Sequence, residues 1–158
     1  MKDHHQNTQS HHLKEFPAEE ILSLTRRGSG TIEVVVGKAT FRVSLQSQRL
    51  RVFAKSASCA CCGLEGHWMC LDVQPSNPDS FTSPHFNLYA HHHGKMILMT
   101  KDHVLAKASG GQDKMGNYQT KCVICNSIKE AKRISLEELR EHPDIKGRAS
   151  SFMKARDI

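Results

Sequence analysis

At 158 residues, with 38% hydrophobic and 24% charged side chains, the chain has room for one ordinary domain, or for a compact unit of about fifty residues with an N-terminal module, which excludes two large cores and disorder throughout. No apolar run approaches the roughly 18 residues of a membrane span and the polar start MKDHHQNTQSHH has no signal-peptide core, so the expected setting is cytoplasmic with no membrane partner. The formal charge of +6 sits late, with 13 Lys and Arg against 8 Asp and Glu from Gly94 to Ile158, a balance that favours polyanionic partners.

Residues 1–15 are rich in His, Gln and Asn without apolar period and are predicted to be a mobile polar tail. From Pro17, PAEEILSLTRR carries Pro and Glu early and Arg late, ahead of Gly28, which predicts a short helix with charges opposed to its dipole. TIEVVVGKATFRVSL then offers two β-branched runs around Gly37-Lys38 and, with RLRVF, predicts a small antiparallel meander ending at Phe53.

A strand is expected at HWMCLDV and a loop over QPSNPDSFTSP. FNLYA and MILMT flank HHHGK as the arms of a hairpin, with His91, His92 and His93 at its tip, and the second arm delivers the chain to Asp102-His103. KASGGQDKMGN reads as an irregular loop permitted by Gly110-Gly111, and a helix is expected around VICNSIKEAKR. A last helix starts at Ser135 as N-cap, with Glu138 as its capping-box partner and an Ile134–Leu139 staple. The predicted class is α+β, organised as a tail (1–15), an N-terminal helix and β meander (16–55), a central unit (56–133) and a C-terminal helix and tail (134–158). Trp68 and Tyr118 are assigned to packing, because one Trp and two Tyr are too few for an interleaved base-stacking surface.

Six cysteines in a chain expected to meet a reducing cytosol point to metal or catalysis rather than disulfides. Cys59 and Cys62 form one CxxC pair and Cys122 and Cys125 a second, together the four thiolates of a structural zinc site. Cys61 in place of Cys62 would give a CxC pair, which closes a knuckle less readily, so Cys61 and Cys70 are left as buried or surface thiols. A thiol redox protein would fit the cysteines but needs only one CxxC in a βαβ setting.

The stretch MTKDHVLAKASGGQDKMGNYQTKCVICNSIK resembles the HNH endonucleases in Asp102-His103, Gly110-Gly111, Asn117, Cys122, Cys125-Asn126 and Lys129. GLEGHWMCLD, HFNLYA, LMTKDH and NYQTKC resemble, more narrowly, HNH proteins of tailed bacteriophages, which would place the chain in a host cell's cytoplasm; the resemblance covers roughly Arg49 to Arg133. It implies a ββα-metal core stapled by the zinc cysteines that cleaves double-stranded DNA. His103 would be the general base, Asp102 and Asn126 the protein ligands of a magnesium or manganese ion, and Asn117 the residue that holds the loop and orients His103. Lys129 would face the phosphates, and Lys107 and Lys132 join it as expected DNA contacts. Where many members carry His this chain has Asn126, which favours hard magnesium or manganese over softer metals.

The chemistry asks for these residue types. Phosphodiester hydrolysis needs a base for water, a cation for the phosphate's charge and stabilisation of the leaving 3′ oxygen. Imidazole titrates near neutrality, while carboxylate and amide oxygens suit a hard cation. In a regular strand, however, Asp102 and His103 point to opposite faces, so one site takes both only if the strand ends or bends there. The alternative is a non-catalytic, zinc-stabilised nucleic-acid binder, which has no need of Asp102, His103 and Asn126 together. One such unit cuts one strand, so double-strand cleavage would call for a homodimer or two events.

Overall fold

The computed structural model describes residues 11–73 and 83–132. Its elements are β1 (His11–Pro17), α1 (Ala18–Arg26), β2 (Thr31–Val36), β3 (Ala39–Ser44), α2 (Gln48–Lys55), β4 (Trp68–Val73), β5 (His85–His92), β6 (Lys95–His103), β7 (Tyr118–Cys122) and α3 (Val123–Lys132). The protein is thus mixed α+β, mostly strands. Five strands form one sheet in the order β1-β4-β5-β6-β7, with every neighbouring pair antiparallel, and β2 and β3 form a separate hairpin. No helix among the described residues is long and apolar enough to cross a membrane.

Alternation along the strands divides the sheet into two chemically different faces. Met69 and Leu71 of β4, Phe86, Leu88 and Ala90 of β5, and Ile97 and Met99 of β6 join Ile21 and Leu22 of α1 and Leu50 and Phe53 of α2 in one buried cluster. The cluster also takes in Cys59, Cys62, Cys122 and Cys125, so the cysteine site is an extension of the apolar core. On the opposite face, Asp72 is fully buried and accepts from His12 Nδ1 at 2.5 Å, Asn87 Nδ2 at 2.8 Å and the Tyr89 hydroxyl at 2.5 Å. This polar network joins three adjacent strands, β1, β4 and β5.

Three local expectations need correction. The polar tail predicted over 1–15 gives way at His11 to strand β1, because pairing with β4 satisfies its backbone whatever its side-chain pattern. RLRVF is helical rather than a third meander strand: the Ser47 side chain caps the Leu50 amide, and Leu50 and Phe53, three apart, enter the core together. NYQTKC, given no element from sequence, supplies β7, the edge strand that pairs with β6. The helix from Ser135, tail residues 1–10 and positions 74–82 of the expected loop lie outside the described residues.

Candidate active site and metal centre

The first knuckle is built by local backbone bonds. Cys59 N donates to Leu64 O at 2.8 Å and Gly63 N to Cys59 O at 3.0 Å, a turn that Gly63 completes at φ +78, a conformation L side chains rarely adopt. Ala60 N donates to Thr120 O at 2.8 Å and the Thr120 hydroxyl to Ser56 O at 2.5 Å, so the knuckle is bolted to β7 just before the second pair begins. Cys122 closes β7 and Cys125 lies in the first turn of α3.

The four sulfurs of Cys59, Cys62, Cys122 and Cys125 all lie within 4.8 Å of one another, and all four residues are buried. Tetrahedral Zn–S bonds of about 2.3 Å would place sulfurs about 3.8 Å apart; Cys62 and Cys122 are separated by 3.8 Å. The set fits a metal ion such as zinc. Contacts within it already favour a thiolate at Cys59, through hydrogen bonds first from Cys122 and then Cys125 and Cys62, whereas the bond with Cys122 holds Cys125 protonated. Cys61 is half-buried beside the cluster, and burial first, then the Cys59 charge, raises its thiol pKa. Cys70 is buried on the opposite sheet face near Glu15, its thiol pushed up to about 12 by burial and by Asp72 and Glu15.

Strands β6 and β7 are antiparallel, and α3 follows β7 directly. Register is regular to the end of β6, with Asp102 opposite Gln119 and His103 opposite Tyr118, so Asp102 and His103 project from opposite faces. Each has its own partners. Asp102 Oδ2 accepts from Lys121 Nζ at 2.7 Å and from Gln119 Nε2 at 3.4 Å. The Lys121 side chain is 0% exposed and that of Asp102 13% exposed, which makes this a buried ion pair.

His103 Nε2 lies 2.7 Å from Asp113 Oδ1, and its ring is 5.0 Å from that of Tyr118. Asp113 also takes Lys107 Nζ at 2.9 Å and the Tyr118 hydroxyl at 3.3 Å. Its carboxyl is held down at about 2 by His103 first and by Lys107 next, so it is an anion throughout the neutral range. Lys107, expected to contact DNA, is engaged with this anion. Tyr118 is on the His103 side of the hairpin rather than in the core, since at a strand position opposite His103 its ring shares that residue's face.

Asn117 fixes the loop between β6 and β7. Its Oδ1 accepts from Leu105 N at 2.8 Å, and its Nδ2 donates to Leu105 O at 3.0 Å and to Gln112 O at 2.8 Å. Gly111 is packed so tightly that an added Cβ would stand 1.8 Å from Leu105 O, which accounts for one of the two adjacent glycines. Asn126 Oδ1 is buried with no hydrogen-bond partner among the described residues. Lys129 and Lys132 fall on α3, where the structure describes only their backbone.

Sequence reasoning missed Asp113 and Lys121, which become visible only when loop and strand bring them against His103 and Asp102. Compared with protein-family models, curated proteins and solved structures, the chain matches none of them.

Proposed function

We propose that the protein is a metal-dependent DNA endonuclease of the HNH class, with β6, the Asn117-pinned loop, β7 and α3 as its ββα-metal unit and the four-cysteine centre as its structural zinc site. One observation carries the reading: His103 ends one strand of an antiparallel pair, Asn117 closes the connecting loop, and the helix that follows holds a buried Asn126 oxygen with no donor among the described residues. A buried acceptor left unpaired costs on the order of 1–3 kcal/mol, so a partner is worth supplying, and an amide oxygen is a hard ligand suited to magnesium or manganese.

The chain's own groups then divide the work. Asp102 and Asn126 would hold the cation; when bound, it supplies Lewis acidity to the phosphodiester and to the developing 3′ oxygen. Lys121 keeps positive charge against Asp102, so the lysine and the cation compete for the carboxylate or share it. Asp113, an anion at neutral pH, accepts from His103 Nε2, which therefore carries the proton and leaves the basic lone pair to Nδ1. Nδ1 would take the proton of the attacking water while Asp113 fixes the ring and faces the resulting imidazolium, the division of labour of an Asp–His pair. Asn117 holds the loop that carries Asp113.

A second reading, a zinc-stabilised nucleic-acid binder without cleavage, is favoured by the opposed faces of Asp102 and His103 and by the Lys121 ion pair. Incubation of the purified protein with supercoiled plasmid, with and without added magnesium or manganese, separates them. The nuclease reading expects nicked circles only with the divalent ion. Intact plasmid in every condition, with DNA bound, selects the second.

A further inference from the structure

A cleft of about 550 Å³ opens among β3, the start of α2, β5 and β6, and its lining is basic. Arg42 comes from β3, Arg49 from α2 and Lys101 from β6; Ser44, Ser47 and His85 add polar groups, and no Asp or Glu among the described residues lines the wall. Charges of one sign gathered from three elements repel, so the arrangement is stabilised by an anion in their midst.

Among the described residues the surroundings do not supply that anion. Glu33 stands opposite Arg42 in the β2–β3 register, yet no ion pair joins them among the described residues. The Arg49 side chain makes one hydrogen bond among the described residues, from Nη2 to Phe86 O at 2.8 Å. Burial disfavours its charge, and the acidic group acting on it, Asp72, already accepts from His12, Asn87 and Tyr89. Lys101 connects the cleft with the candidate active site: its Nζ donates to Gln48 Oε1 at 3.2 Å and lies 4.1 Å from the centre of the Tyr118 ring, the ring that faces His103.

We infer that the cleft is a second phosphate subsite, in which Arg42, Arg49 and Lys101 seat a backbone phosphate of the DNA strand a step or two from the one presented to His103. The inference rests on the nuclease reading for its substrate. It gives the N-terminal part of the chain a role in positioning: the β2–β3 hairpin and α2 supply two of the three cations. Guanidinium forks and an ammonium bind phosphate irrespective of base, so the subsite sets register along the strand rather than sequence preference.

The test is duplex DNA binding by the full chain between 50 and 200 mM salt, with no divalent ion added and no chelator, so that the cysteine centre is undisturbed. Each phosphate contact contributes about 0.9 to the slope of log affinity against log salt, or roughly 3.5-fold across this range. Arg42→Gln and Lys101→Gln should each flatten the slope by about one contact, and the double variant by about two. Lys38→Gln, at an exposed turn outside the cleft, should leave it unchanged; Arg42 is itself exposed, and matching melting temperatures verify the fold. A wild-type slope in both cleft variants overturns the subsite even if the protein cuts plasmid. Flattened slopes in a protein that never cuts uphold the subsite and sink the nuclease reading. A chain that binds no DNA overturns both.

Discussion

Replacing Asn117 with alanine should free the loop between β6 and β7 without unfolding the sheet. Three neutral hydrogen bonds are lost, to Leu105 N, Leu105 O and Gln112 O, at 2.8, 3.0 and 2.8 Å. At about 1 kcal/mol each, discounted because the residue is only half-buried and water replaces part of them, the loop loses roughly 2–3 kcal/mol of local stability. The Leu105 amide should then exchange its hydrogen on the order of a hundredfold faster, since about 1.4 kcal/mol is a factor of ten. Asn117→Asp is the sharper probe. It keeps an acceptor for Leu105 N but turns a carboxylate oxygen toward two carbonyls, so it should release the loop at least as fully as alanine. Amide exchange followed by mass spectrometry or NMR reads both variants. Unchanged exchange at Leu105 in Asn117→Ala would refute the argument that this side chain holds the loop.

Cys122→Ser removes one of four converging thiols from the core, and because metal binding is coupled to folding the variant should lose its metal and melt far lower, or fail to fold; wild-type metal content and melting temperature would contradict the centre. Lys121→Met strands the Asp102 carboxylate and should cost about 3–5 kcal/mol by denaturant titration, with Asp102→Asn recovering much of it in the double variant; a loss below about 1 kcal/mol would show that the pair is not buried as described. Asp113 has a depressed pKa, so the bonds that depress it stabilise the loop above the ordinary carboxylate value of 3.8 and are lost as pH falls through about 2. An NMR titration of its carboxyl carbon should place the midpoint below 3.8, and a midpoint at or above that value would show the His103 and Lys107 contacts absent in solution.

Elements whose signals are local were legible in the sequence. Pro17 and Glu19-Glu20 with Arg26 mark α1, and the two CxxC pairs name the four buried sulfurs that the fold brings within 4.8 Å. The hairpin of β5 and β6 likewise follows from its apolar runs and its turn at His93-Gly94. What remained hidden depends on distant partners. Strand β1 has few apolar residues to announce it and exists through pairing with β4, fifty and more residues on. RLRVF alternates Arg with Leu and Val as a half-buried strand would, although the Ser47 cap three residues before Leu50 was present to be read as a helix start. The Asp113 and Lys121 contacts are products of loop closure and strand register, which no local pattern encodes.

The central step of the proposed reaction is His103 acting as a base at a phosphodiester. Plasmid relaxation by wild type and His103→Ala under identical magnesium, with DNA affinity measured beside it, tests this most directly. Wild type should nick the plasmid, and the variant should bind as tightly while leaving it supercoiled. Cutting by His103→Ala at the wild-type rate would contradict the assignment.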